Sequence, residues 1–339
     1  MRRASRSSEE TGFNFNVTEQ QTLNPVSSSR LRVAVIGVGH LGEHHARLLA
    51  AMDHVDLVGV VDTKPGRADE IAAKYGTRAF RDAADVRSLV DAVTVAVPTE
   101  SHVDVALPFI EQGNAVLVEK PLAASLSAAD RLIDAAARRG SVLAAGHTER
   151  FNPAVTAALP GLSNPRFIEV HRLGVFPERS LDIDVIFDLM IHDLDLLLAS
   201  VRSDVVSIEA VGVHVLSPRT DIANARLRFA SGCIANLTAS RISRERVRKA
   251  RFFQHDAYIS IDFMAQEVEV YRTVAPEGTG RPSIKGGKLD VTKDEPLRLE
   301  LADFVEAARS GGAPKVTAHA GRAALALATR IAEEMEAAL

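Results

Sequence analysis

The sequence predicts an α/β Rossmann domain, a doubly wound parallel sheet, followed by an α+β domain with a large, mostly antiparallel open sheet. Three observations carry this. From Leu31, apolar β-branched runs alternate with helix-spaced segments, the pattern of parallel strands joined by right-handed crossovers. The turn "GVGHLG", Gly37 to Gly42, joins the first run to the first helical segment. After about Phe151 the alternation stops, and short strand-like runs separated by hairpin signals take over.

Each element follows in order. "LRVAVIGVG" is a continuous apolar run ending in glycines, as suits a strand buried on both faces. "HLGEHHARLLAAM" has helical spacing, "VDLVGVVD" is a second strand, and "GRADEIAAKYG" is a helix with a glycine stop. "AVTVAVP", "SHVDVALPFIEQG" and "AVLVEKP" read as strand, helix and strand. "SLSAADRLIDAAARRG" is a helix opened by a serine cap, and "VLAAGHTERF" holds one more strand. Beyond it, "DIDVIFDLMIHDLDLLLAS" is strongly helical. The strand-like runs are "VVSIEAVGVHVL", "IANARLRFA", "CIANLTAS", "RVRKARFFQ", "AYISIDF" and "EVEVYRT". "RTVAPEGTGRPSIKGGKLD" reads as a long Gly/Pro loop, and two helical stretches close the chain. The expected organisation is a disordered leader at 1–29, a Rossmann domain at 30–150, an α+β substrate and oligomerisation domain at 151–317, and a C-terminal helix at 318–339 packed on the body. The leader is Ser/Asn/Thr/Gln-rich and lacks a signal peptide's apolar core. The sharper reading of its arginines is a phosphate-seeking tail.

Composition narrows the function classes. The chain has 339 residues, enough for two domains, and 46% hydrophobic with 25% charged residues is ordinary globular usage. A net charge of -4 supplies no field for nucleic acid. No apolar run reaches the ~20 residues of a membrane span. Cys233 is the only cysteine, so an intrachain disulfide and a thiolate metal cage are both excluded. This suits a reducing cytoplasm, the expected location.

The glycine turn has the spacing of a dinucleotide site. Gly37 allows the tight turn, Gly39 lets backbone approach a pyrophosphate, and Gly42 lets the helix pack on the strand. His40 and Leu41 open that helix, whose free N–H groups favour phosphate. Asp62 ends the second strand 20 residues beyond Gly42 (62 − 42), where a carboxylate accepts the ribose 2′-OH and repels a 2′-phosphate. NAD is therefore expected over NADP, although Lys64 and Arg67 lie close enough to weaken that preference. The alternative is a doubly wound domain with no cofactor. His40, His44 and His45 read as partly exposed helix positions rather than a metal cluster, and no metal is expected.

Two further groups point to chemistry. Glu119 and Lys120 stand at the carboxyl end of a parallel strand, where open sheets bind ligands. Pro121 holds Lys120 extended, so its amine can reach a substrate oxygen, with Glu119 to orient or pair with it. The alternative is a surface salt bridge. On the long helix, Asp184, Asp188, His192 and Asp195 fall within about 80° of one another at ~100° per residue. A stripe of acids and histidine without Lys or Glu is read as facing a cleft.

"GVGHLG", "VAVPTESH" and "VLVEKPLA", in that order and spacing, resemble the Gfo/Idh/MocA oxidoreductases, and the resemblance runs from about Leu31 to the C-terminus. It implies that Lys120 works at the reacting carbon, that Pro98, Thr99 and His102 line the dinucleotide together with Glu119 and Lys120, and that Asp188 and His192 form the family's D-x-x-x-H pattern. Here that pattern follows "DVIF" instead of a glycine run. It also implies a homodimer or homotetramer through the C-terminal sheet. "GHTERFNP" is similar to the form in members that oxidise nucleotide-linked amino sugars. The implied substrate is a UDP-linked N-acetylhexosamine such as UDP-N-acetylglucosamine, oxidised at C3. Arg150 and Asn152 would then contact substrate, or else serve as a cap and ion pair at the domain crossover. Arg241, Arg244, Arg246, Arg248, Lys249 and Arg251 read as charges on a solvated hairpin, one or two of which could meet a substrate diphosphate. His192 is the expected proton acceptor, with Lys120 orienting the hydroxyl and Asp188 fixing the hydroxyl or the imidazole; the first two roles could be exchanged. The competing readings are a dehydrogenase of a free sugar or inositol, and a non-catalytic dinucleotide-binding sensor. The joint presence of Lys120, Asp188 and His192 argues against the sensor.

Overall fold

A computed structural model describes residues 30–176, 183–275 and 281–337. The leader expected at 1–29 lies outside the described residues.

Six parallel strands form the first sheet: β1 (Leu31–Ile36), β2 (Val55–Val61), β3 (Arg78–Phe80), β4 (Ala92–Val95), β5 (Ala115–Glu119) and β6 (Leu143–Gly146). Their order is β3-β2-β1-β4-β5-β6, so it reverses between β1 and β4 and opens a crevice at their carboxyl ends. Helices α1 (His40–Ala50), α2 (Arg67–Tyr75), α3 (His102–Gln112) and α4 (Leu126–Arg139) are the crossovers. Coverage on both faces explains why β4, β5 and β6 are buried at every position. Ser125 caps α4 by accepting from the Ala128 amide, and Gly140 ends it in the left-handed region.

The second sheet has eight strands: β7 (Phe167–Leu173), β8 (Val205–Val213), β9 (Ile222–Phe229), β10 (Ile234–Ser240), β11 (Val247–Phe253), β12 (Ala257–Asp262), β13 (Glu267–Val274) and β14 (Ser283–Lys288). Its order is β14-β13-β12-β11-β7-β10-β9-β8. Every pairing is antiparallel except β7 with β10. Burial alternates along these strands. One face packs on α5 (Pro153–Ala158) and α6 (Ile191–Val201), and the other carries polar and exposed residues. β14 corrects the sequence reading, which took this stretch for a loop. Its pairing is main-chain and needs no apolar periodicity, and Gly286 lies so close to β13 that a Cβ would come within 1.9 Å of the Val270 oxygen.

The last two helices, α7 (Pro296–Ser310) and α8 (Ala318–Ala337), tie the halves together. Leu301, Phe304 and Val305 of α7 join the core around β1, while α8 sends Leu325 into the Rossmann core and Leu327, Ala328 and Ile331 into the other. Gly321 lets α8 approach β6 closely, since a Cβ there would lie 2.5 Å from that of Ala145.

Candidate active site

The glycine turn is shaped by close contacts on one side and open space on the other. Gly37 has φ 83°, and Gly42 packs so tightly that a Cβ would sit 1.8 Å from the Gly37 oxygen. Gly39, in contrast, meets nothing within 4 Å, and it begins α1 without a side-chain cap. The N-terminal end of α1, which opens with His40 and Leu41, can therefore be approached by an anion. Asp62 follows β2 and accepts from the Val38 amide (3.0 Å) and the Lys64 amide (2.8 Å). Arg67 is engaged within the protein: it donates to the Val38 carbonyl (2.8 Å) and pairs with Glu43 (2.6 Å) and Glu70 (2.9 Å). A cleft of about 400 Å³ runs past Gly37, Gly39, Asp62, Arg81, Val97 and Pro98. Thr99 starts the short turn below it. His102 is buried, with Nδ1 and Nε2 each 3.0 Å from a carbonyl, those of Pro121 and Val97. It ties the loop after β4 to the loop after β5. Burial holds its imidazole below the ordinary range, so the neutral ring donates to one carbonyl only.

At the end of β5, Lys120 Nζ lies 2.7 Å from the Asp188 carbonyl and 3.1 Å from its carboxylate. Glu119 points inward. Its carboxylate meets His45 Nε2 at 3.0 Å and accepts from the Lys120 amide at 3.2 Å. Gly146, opposite Glu119 in the sheet, leaves room for that carboxylate, which would lie 3.0 Å from a Cβ. Burial alone would raise the Glu119 pKa, but His45 and Lys120 hold it below the usual range. His45 is fully buried, not partly exposed as the sequence suggested, because it is the partner of Glu119. Among the described residues no group of three His, Cys, Asp or Glu could hold a metal ion.

The acidic stripe on the long helix is divided. A π-type turn at Ile186–Met190 precedes α6, and its wider winding breaks the 100° repeat. Asp184 accepts from the Thr220 amide (2.8 Å), Asp188 faces Lys120, and Asp195 is buried against Arg150 (3.3 Å). His192 is brought near Lys120; burial, then the charges of Lys120 and Arg172, push its pKa well below the ordinary value. Asn152 caps α5 by accepting from Ala154 and donates to the Phe263 carbonyl, both at 3.0 Å. Of the basic hairpin, Arg248 is 4.0 Å from Glu149, and its charge is among those acting on His192.

Sequence reasoning missed a buried network. Arg172 binds both carboxylate oxygens of Asp193 (2.9 and 2.7 Å) and one of Glu149 (2.9 Å). The available signal was phase: Ile168, Val170 and Arg172 are the inward positions of β7. Glu300 and His147 were missed as well. Glu300 is buried, accepts from Thr148 (2.8 Å), and is raised well above the carboxylate range by burial and then by Glu119.

A dinucleotide fits this turn: an uncovered glycine at a helix N-terminus and an acid at the second strand's end. Comparison with known proteins agrees. Residues 31–147 match the model of the oxidoreductase family with an NAD-binding Rossmann fold, and residues 171–260 match the GFO/IDH/MocA C-terminal domain. The chain is 40% identical over 310 residues to a UDP-N-acetylglucosamine 3-dehydrogenase of Acidithiobacillus ferrooxidans, covering 91% of this chain and 98% of the relative. A solved structure of that enzyme superposes with a TM-score of 0.86 at 39% identity, over 91% of this chain and 98% of its own. The scyllo-inositol 2-dehydrogenase (NAD(+)) of Bacillus subtilis is 27% identical over 314 residues, covering 85% and 89% of the two chains. With both halves of the chain matched, it belongs to the Gfo/Idh/MocA family of NAD-binding oxidoreductases.

Proposed function

We propose that this oxidoreductase uses NAD to oxidise the C3 hydroxyl of UDP-N-acetylglucosamine, or of a related nucleotide amino sugar, to a ketone. The observation that supports the reading is the pairing of Lys120, at the end of β5, with Asp188, four residues before His192, in a chain 40% identical to an enzyme of that name. Bound NAD would supply the hydride acceptor, held by Gly37, Gly39, Gly42, the first amides of α1 and Asp62. Pro98 and Thr99 border it, and His102 braces their loop. Lys120 donates to the reacting hydroxyl and stabilises negative charge on it. His192, kept neutral by burial, accepts the hydroxyl proton. Asp188 holds the Lys120 amine in place. Arg150 and Asn152 support the substrate wall from behind, and Arg248 meets the diphosphate. Asp62 favours NAD over NADP. The bare face of the second sheet pairs with a second copy of the chain; sedimentation of the purified protein should then report a dimer or tetramer. No helix among the described residues is long and apolar enough to cross a membrane, and the lone cysteine suits the cytoplasm.

The test is a substrate panel. UDP-N-acetylglucosamine should drive NADH formation, while free N-acetylglucosamine and inositols should do so far less. Equal turnover of free and nucleotide-linked sugar would remove the diphosphate from the recognition scheme.

A further inference from the structure

His147 follows β6 and is fully buried. Its ring centroid lies 6.2 Å from that of His192, with the planes at 86°. Neither nitrogen of His147 has a hydrogen-bond partner among the described residues, and neither has His192 Nδ1. Buried polar atoms without partners are rare and costly in native proteins. Three of them on two neighbouring rings call for a common solution. A single water held between the rings would partner His192 Nδ1 and one nitrogen of His147.

The chemistry requires such a partner. An imidazole that takes a proton at Nε2 must carry its hydrogen on Nδ1, and that hydrogen needs an acceptor to fix the tautomer. Asp188 does not serve, because its carboxylate is turned to Lys120. We propose that His147 is the acceptor, through one bridging water, and so a positioning residue that keeps His192 in the Nδ1–H tautomer with Nε2 open to the substrate hydroxyl. This rests on the proposed role of His192 as proton acceptor. Burial keeps both rings below the ordinary histidine range, so two neutral rings can share a hydrogen without repulsion. The charges around His147 come from both sides: Asp195 and Glu119 against Lys120 and Arg150.

The experiment compares His147→Phe with His147→Gln. Nitrogen-15 NMR of histidine-labelled protein, assigned with His192→Ala, reads the His192 tautomer; steady-state kinetics with UDP-N-acetylglucosamine and an NAD titration accompany it. His147→Phe should move His192 toward the Nε2–H form and lower kcat by about 10- to 100-fold, the usual loss for an orienting partner, with the NAD Kd unchanged. His147→Gln, whose amide oxygen can accept the same bond, should restore the tautomer and most of kcat. A folded His147→Phe protein that keeps the wild-type tautomer would overturn the proposal, as would equal losses in both variants with no tautomer change. A wild type that oxidises no nucleotide sugar, yet shows the tautomer shift in His147→Phe, would sink the substrate assignment and support the pair.

Discussion

Across the cleft, the wall around Gly37 and Asp62 offers backbone amides to a ligand, whereas the wall around Lys120 and His192 offers side-chain charges. On the first wall the ionic groups stand at the rim: Glu43 sits between Arg67 and Lys74, all partly exposed. On the second, Lys120 and Asp188 are partly exposed, but the ion pairs behind them are sealed in. Arg172 with Asp193 and Arg150 with Asp195 are nearly free of solvent. A backbone site tolerates changes in its surroundings so long as the turn keeps its conformation. A buried ionic site depends on every partner, because removing one leaves the other desolvated and uncompensated. The difference fits the two proposed tasks: amides would grip a dinucleotide pyrophosphate, whereas a reacting hydroxyl would need groups that donate and accept protons.

The strongest way to break the comparison is Arg172→Met. Despite burial, Asp193 and Glu149 keep the Arg172 guanidinium charged, and its loss strands both acids. We expect a stability loss of about 3–5 kcal/mol, seen as a fall in Tm of roughly 10 °C. Replacing Asp193 and Glu149 by leucine in the same chain should recover much of it. A Tm change no larger than that of a surface substitution would show that the second wall does not depend on its charges.

Next come Lys120→Met and His192→Ala. Each should lower kcat by about 10²-fold or more, the range of general acid–base loss, while NAD affinity changes little. Normal turnover in both folded variants would make the Lys120–Asp188 contact merely structural.

On the first wall the expected effects are on binding, not on stability. Gly39→Ala adds a methyl that meets no protein atom within 4 Å, so Tm should stay put. A pyrophosphate lying on the glycine would meet it, and NAD affinity should fall by about tenfold, ~1.4 kcal/mol. Asp62→Ala should weaken NAD and relax discrimination against NADP; Asp62→Asn, which keeps an acceptor for the Val38 amide, separates ribose recognition from loop support. Tighter binding of NADP than of NAD by the wild type would refute the reading of Asp62.

The contrast also explains what was legible in the sequence. The turn through Gly37, Gly39 and Gly42 and the strand end at Asp62 could be read from spacing, because local turn geometry and one strand's length fix them. Lys120 could be read because a strand end in a parallel sheet is a cleft. The partners could not. His45 meets Glu119 across 74 residues, and Thr148 meets Glu300 across 152; no local pattern encodes either pairing. The helical repeat grouped Asp184 and Asp195 with Asp188, and the π-type turn sends them to different partners. The edge strand β14 was hidden because its pairing is made by the main chain and its side chains are largely exposed.

The smallest expected effect tests whether exposure is what separates the two walls. Glu43 carries two cations, Lys74 at 2.7 Å and Arg67 at 2.6 Å, and these bonds, Lys74 first, hold its carboxyl at about 2 against an ordinary 4.5. The cluster looks as well connected as the one around Arg172. It lies at the surface, however, where water and salt screen it, and exposed pairs contribute little. Glu43→Gln should therefore lower Tm by no more than about 2 °C at neutral pH, less still in high salt. The sign with pH is fixed by the depressed value: the contribution is complete above 4.5 and disappears as the pH falls through about 2. Melting curves of the wild type and Glu43→Gln should thus converge as the pH is lowered from 6 toward 2, while those of the wild type and Arg172→Met stay apart over the upper part of that range. A loss for Glu43→Gln as large as that for Arg172→Met would mean that connectivity, and not burial, sets the cost of breaking an ion network in this protein.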